Sequence, residues 1–143
     1  MVRSFLASDP SWVLFVLRVA LGVVIFPHGM QKLAGWWGGN GYKATVKGFQ
    51  ERLHVPASLT ALVIAGESLG SLLLVLGLFT RFDALAFVVT QLGAIRMSHW
   101  KNGYFVNKGG YEFNLLLVIV AALVTCYGGG ALSLDAWLLG MLG

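Results

Sequence analysis

Charge is scarce in this chain. Asp, Glu, Lys and Arg make up 11% of its 143 residues, where a soluble domain carries about 25%. So little charge cannot coat a globule in water, which excludes an ordinary cytosolic enzyme. A hydrophobic content of 57% excludes a disordered chain as well. Cysteine is scarcer still. With Cys126 alone, no intrachain disulfide forms and no Cys-x-x-Cys pair exists for thiol redox chemistry. Basic runs interleaved with aromatics are also missing. The ten Lys and Arg, against six Asp and Glu, are scattered, so the pI of about 9.5 bears on membrane orientation and not on a nucleic-acid partner. No phosphate-binding loop, no Ser-His-Asp or Cys-His arrangement and no paired catalytic carboxylates are present.

What the chain has instead is apolar length. Its mean hydropathy is +0.78, and its 19 glycines suit helices that pack closely in lipid. A membrane span needs about 20 mostly apolar residues. Four segments qualify as candidates: 12–30, 56–79, 82–97 and 111–127. The first contains Arg18 and lacks a small-residue cleavage site, which argues against a signal peptide. Pro56 opens the second, where its missing N–H costs nothing. Thr80-Arg81 joins the second tightly to the third, which predicts antiparallel neighbours. Gly128-Gly129-Gly130 ends the fourth. The sequence therefore predicts an all-α membrane protein, a single domain over 1–143 built as a four-helix transmembrane bundle without strands.

Two shorter helices are expected outside the spans. Tyr42, Val46, Phe49 and Leu53 recur at helical spacing opposite Lys43, Lys47, Glu51 and Arg52, the pattern of an amphipathic helix in the bilayer interface. Ser133 is placed to cap a short C-terminal interfacial helix anchored by Trp137. With four spans the termini share one face, which carries Arg3 and Arg81. The loop face carries Lys32, Lys43, Lys47, Arg52, Lys101 and Lys108, and the positive-inside rule puts it in the cytoplasm.

Ionisable groups within spans need partners, since each costs roughly 2.5 to 3.5 kcal/mol at a helix centre. Counted from the loop face at about 1.5 Å per residue, Glu67 lies about 15 Å deep and Arg18 about 18 Å deep. That match predicts an Arg18–Glu67 ion pair, serving either packing or function. A second polar set gathers at the loop face: His28, Gln31 and Lys32 ending the first span, Arg96 and His99 ending the third, Glu112 and Asn114 beginning the fourth. Arg96 and Glu112 are candidates to pair. The set either forms one mouth for an amphiphile with a polar head, roofed by Trp36 or Trp37, or reaches water as separate snorkelling side chains. His28 with Met30 and Met97 with His99 also offer imidazole and thioether for Cu(I), and His28 with His99 two axial ligands for a haem; both are weaker readings.

Several of these segments resemble the DoxX family. Arg18 followed by Phe26-Pro27-His28-Gly29-Met30-Gln31-Lys32-Leu33 is similar to that family's first helix. Glu67-Ser68-Leu69-Gly70 through Leu76-Gly77-Leu78-Phe79-Thr80-Arg81 is similar to its second helix and turn, and Tyr111-Glu112-Phe113-Asn114, Gly128-Gly129-Gly130 and Ser133-Leu134-Asp135 to its fourth helix and tail. The order and spacing carry the resemblance, which covers most of the chain. It implies a four-helix bundle in the bacterial cytoplasmic membrane, with Arg18, His28, Lys32, Glu67 and Glu112 as the positions of interest.

Two readings of function follow. In one, the protein is a redox-linked membrane subunit that binds quinone or a similar amphiphile beside His28, Lys32, His99 and Glu112. In the other, it is a non-catalytic accessory or assembly subunit whose lipid-facing surface and long loop dock a larger complex. Either way the expected partners are the bilayer and other membrane subunits or further copies of the chain.

Overall fold

The computed structural model describes residues 9 to 141, and among them every regular element is helical. Helix α1 covers Trp12–Leu33, its first turn capped by the Ser11 hydroxyl, which accepts from the Leu14 amide at 3.4 Å. Helix α2 covers Gly41–Leu53. Helix α3, Ala57–Leu76, is α-helical except for a wider π turn at Gly66–Gly70. Helix α4 begins at Thr80–Ala94 and continues as a π turn through Ile95–His99. Helix α5 covers Glu112–Tyr127 and α6 covers Leu134–Met141. The Ser133 hydroxyl accepts from the Ala136 amide at 3.2 Å, closing the first turn of α6.

Helices α1 and α3, of 22 and 20 residues, are long and apolar enough to cross a membrane. This is an all-α, membrane-associated fold. Each segment read as a span folds into a helix, although α5 has only 16 residues, and α4 carries Arg81, Asp83 and Arg96.

The core is made where α1, α3, α4 and α5 converge. Leu21 and Ile25 meet Leu74, Ala84 and Phe87, with Leu117, Ala121 and Val124 closing the other side. The most extensive pairings are α1 with α3 and α4 with α5. The tight turn makes α3 and α4 neighbours in sequence, yet they pack less extensively. Glycine explains the close α1–α3 pairing. A methyl on Gly22 would sit 2.7 Å from the Ser71 carbonyl oxygen, and one on Gly29 would run into the Glu67 backbone.

At one end of the bundle Arg18 is fully buried, 0% exposed. Its Nε donates to the Gly129 carbonyl at 2.7 Å, and its Nη1 to the Leu74 carbonyl at 2.8 Å and to that of Val75. The guanidinium also lies 5.3 Å from the centre of the Phe15 ring. Leu74 and Val75 are in the last turn of α3, so the cation sits at the negative end of that helix. Asp135 answers the opposite need. Its two carboxylate oxygens accept the Phe79 and Thr80 amides, each at 2.8 Å, at the positive end of α4.

The predicted Arg18–Glu67 pair is therefore corrected. Gly29 abuts Glu67, so Arg18, eleven residues earlier on α1, is displaced about 16 Å along the axis. The depth count failed because α3 starts beyond the end of α1 and not level with it. Three substitutions test this packing. Arg18→Leu should lower the unfolding free energy in detergent by about 3 kcal/mol, since it orphans buried carbonyls. Gly29→Ala should cost roughly 1 to 3 kcal/mol by overpacking. At Gly48, whose added methyl would meet nothing within 4 Å, alanine should be neutral or stabilising by up to about 1 kcal/mol. Equal effects at the two glycines would contradict the close α1–α3 packing.

Candidate functional site

The other end of the bundle holds a cavity of about 310 Å³. Its polar lining comes from four helices: His28 and Lys32 on α1, Glu67 on α3, Gln91 and His99 on α4, and Asn114 on α5. Ile25, Ala94, Phe113 and Leu117 form its apolar wall, and Val106, Gly109 and Gly110 of the α4–α5 loop close one side.

The central contact is an ion pair between Lys32 Nζ and the buried Glu67 Oε2. Local backbone geometry puts it there. Gly29 lets α1 approach the Glu67 peptide, and the π turn at Gly66–Gly70 widens α3 at this point. A second π turn carries His99. Such turns recur at functional sites because they reorient side chains that a regular helix would stack. The His99 ring Nδ1 lies 2.7 Å from the Gly109 carbonyl oxygen. A carbonyl only accepts, so Nδ1 carries the hydrogen and Nε2 is the acceptor of the neutral ring. On the facing wall Asn114 Nδ2 donates to Gln91 Oε1 at 2.7 Å, which fixes both amides. The His28 ring, 6.3 Å from that of Phe113, is at the exposed margin.

Of the residues singled out in the sequence, the cavity brings together His28, Lys32, His99 and Asn114. It does not include Gln31, whose backbone packs against Gly39. Trp36 and Trp37 do not roof it. They lie in a short turn, edge to face at 5.5 Å, and are 50% and 64% exposed. The α4–α5 loop takes the roof position, its rings nested by a Trp100–Tyr111 stack at 5.5 Å and Tyr104 edge-on to Tyr111 at 5.7 Å. Glu112 serves that loop. Its Oε1 accepts the Val106 amide at 3.0 Å, so it pairs neither with Arg96 nor with a ligand in the cavity. Arg96 is exposed and outside the lining. Met30 and Met97 are absent from the lining too, so the thioether–imidazole copper set is not assembled. Among the described residues no group of three or more His, Cys, Asp or Glu could hold a metal. Glu67 and Gln91 were missed as cavity residues. Both are polar side chains inside apolar helices, and that cost was their signal.

The fold and the cavity together define an all-α membrane-associated protein with a polar chamber between its helices. The chain belongs to the DoxX family, which it matches over residues 13–100. It is 30% identical over 128 residues to an uncharacterized protein of Haemophilus influenzae, an alignment covering 85% of this chain and 80% of the relative. It is also 30% identical over 120 residues to "Putative oxidoreductase CatD" of Bacillus subtilis, covering 84% and 82% respectively. No solved structure shows a significant match to it. Family membership agrees with the resemblance carried by the helix motifs.

The ion pair generates a test. Lys32→Met leaves the Glu67 carboxylate buried without its cation and should destabilise the protein by about 3 to 5 kcal/mol. Adding Glu67→Leu in the same chain should recover much of that loss, because the uncompensated charge is then gone. Detergent unfolding curves of both single variants and the double variant measure the coupling. Additive losses would mean the two groups do not depend on each other.

Proposed function

We propose that this DoxX-family protein is a multi-pass protein of the bacterial cytoplasmic membrane, linked to redox metabolism, that binds quinone or a similar amphiphile in the cavity at the loop end of the bundle. In this reading α1, α3, α4 and α5 all cross the bilayer, and α2 and α6 lie in its interfaces. The observation that carries the ligand reading is the chamber itself. His28, Lys32, Glu67, Gln91, His99 and Asn114 share a hollow with the apolar side chains of Ile25, Ala94, Val106, Phe113 and Leu117, the combination that orients a polar head and accepts a hydrophobic body. The Lys32 ammonium and a His28 ring N–H suit the carbonyl oxygens of a quinone ring, the His99 Nε2 acceptor suits a hydroxyl of its reduced form, and Ile25, Phe113 and Leu117 suit its apolar part. A bound quinone would supply two-electron chemistry that the chain's own side chains lack. His99 Nε2 and the Lys32–Glu67 pair supply proton-exchanging groups beside it. The redox link draws support from the relative in Bacillus subtilis, which is described as a putative oxidoreductase.

The accessory-subunit reading has one observation in its favour. A groove of about 570 Å³ between α3 and α4 is lined by Leu59, Leu62, Leu69, Phe82, Leu85 and Val89, a surface able to receive a helix of another membrane subunit.

Equilibrium binding of a quinone analogue to the reconstituted protein separates the two. His28→Ala should weaken binding of the quinone form, and His99→Ala binding of the reduced quinol form, each about tenfold, near the 1.4 kcal/mol expected for one lost hydrogen bond, with the helical content unchanged. An affinity identical to wild type in both variants, or no binding by the wild type, would leave the accessory reading in place.

A further inference from the structure

A separate polar hollow of about 290 Å³ lies between α2 and the bundle. Ala44, Gly48 and Arg52 line it from α2, recurring four residues apart and so lying along one edge of that helix, and Asn40, just before the helix, joins them. Lys32, at the end of α1, and Ser98, at the end of α4, face them. Ala44 and Gly48 keep the α2 wall low, and a methyl on Gly48 would meet nothing within 4 Å. The lining contains two cations and no carboxylate. Glu51, the acid adjacent to Arg52 in sequence, is paired with Lys47 at 3.8 Å, and Arg52 makes no ion pair among the described residues. Exposed Trp36, Trp37 and Tyr42 stand at the same end of the molecule, the side chains that settle at lipid headgroup level.

We propose that this hollow binds the phosphate of an anionic phospholipid headgroup. Arg52 supplies a planar fork of N–H donors matched to two phosphate oxygens. Lys32, whose charge is already balanced by Glu67, supplies a further N–H donor, and Asn40 and Ser98 neutral donors. A lipid is favoured over a soluble anion because the hollow opens beneath an amphipathic helix beside interface-seeking aromatics, where basic clefts between helices hold anionic heads. The site does not rest on the redox reading. It touches the cavity only through Lys32, which stands on both walls.

The test uses the full chain in neutral detergent micelles, with native mass spectrometry to count retained lipid and thermal unfolding to follow stabilisation. The probes are phosphatidylglycerol, phosphatidylcholine and inorganic phosphate. Phosphatidylglycerol should be retained and should raise the midpoint of unfolding. Arg52→Gln should weaken its binding roughly tenfold. Gly48→Leu, which fills the hollow without changing charge, should do the same, and Lys101→Gln, a cation outside the lining, should leave binding unchanged. Undiminished phosphatidylglycerol binding by Arg52→Gln and Gly48→Leu overturns the site. An equal response to phosphatidylcholine overturns the role of net charge, and an equal response to inorganic phosphate overturns the headgroup in favour of a free anion.

Discussion

The structure depends on one buried cation. A guanidinium with no exposed surface is expensive in an apolar bundle unless its donors are satisfied. Arg18 meets that demand with backbone carbonyls drawn from two distant parts of the chain. Leu74 and Val75 come from the end of α3, and Gly129 from the turn after α5. The interaction therefore fixes more than a side chain. It sets the register of α1 against α3 and holds the segment after α5 at the foot of both. Gly77, in the left-handed conformation at φ 74°, is part of the same arrangement. A methyl there would come within 2.8 Å of Arg18 Nη1 and of the Ser133 backbone.

That register reaches the far end of the bundle. Once Arg18 is level with the last turn of α3, the antiparallel run of the two helices brings Gly22 to Ser71 and Gly29 to Glu67. Lys32 then lies within reach of the Glu67 carboxylate. The two buried charges of α1 and α3 are not each other's partners. Each is satisfied separately, one by carbonyl dipoles and one by an ion pair, at opposite ends of the same helix interface. Small residues make the pairing possible, because any side chain at Gly29 would hold the helices apart and separate Lys32 from Glu67.

Much of this was legible in the sequence, and its failures have a common cause. Hydrophobic runs, Pro56, the Gly128–Gly130 stop and the amphipathic pattern of 42–53 located the helices, because those signals are local. His28, Lys32, His99 and Asn114 were placed in one cavity for a similar reason: each sits near the end of its helix. Axial offset and rotation were not legible. Depth counted from assumed span ends paired Arg18 with Glu67, since nothing local states that α3 starts beyond the end of α1. Trp36 and Trp37 were assigned the roof by proximity in sequence, whereas Glu112 and nested aromatic rings build it from the α4–α5 loop. The π turns leave no pattern in residue type, yet they aim Glu67 and His99.

Charge balance narrows the chemistry that the cavity suits. A lone buried ammonium would draw an anion, and a lone carboxylate a cation, because an uncompensated charge in an apolar site costs several kcal/mol, roughly. Here Lys32 and Glu67 cancel across the wall. The remaining polar lining is neutral or able to be neutral: two imidazoles and a hydrogen-bonded pair of amides. A charged ligand would have to break the ion pair to gain a counter-ion, paying the desolvation of the group left behind. A neutral ligand with hydrogen-bonding oxygens meets no such cost. It can accept from Lys32 while Glu67 keeps the ammonium neutralised, and it can donate to His99 Nε2. The same balance accounts for the separation of the two hollows. Arg52 has no carboxylate beside it in the cleft under α2, so that cleft retains the positive potential that the cavity has given up.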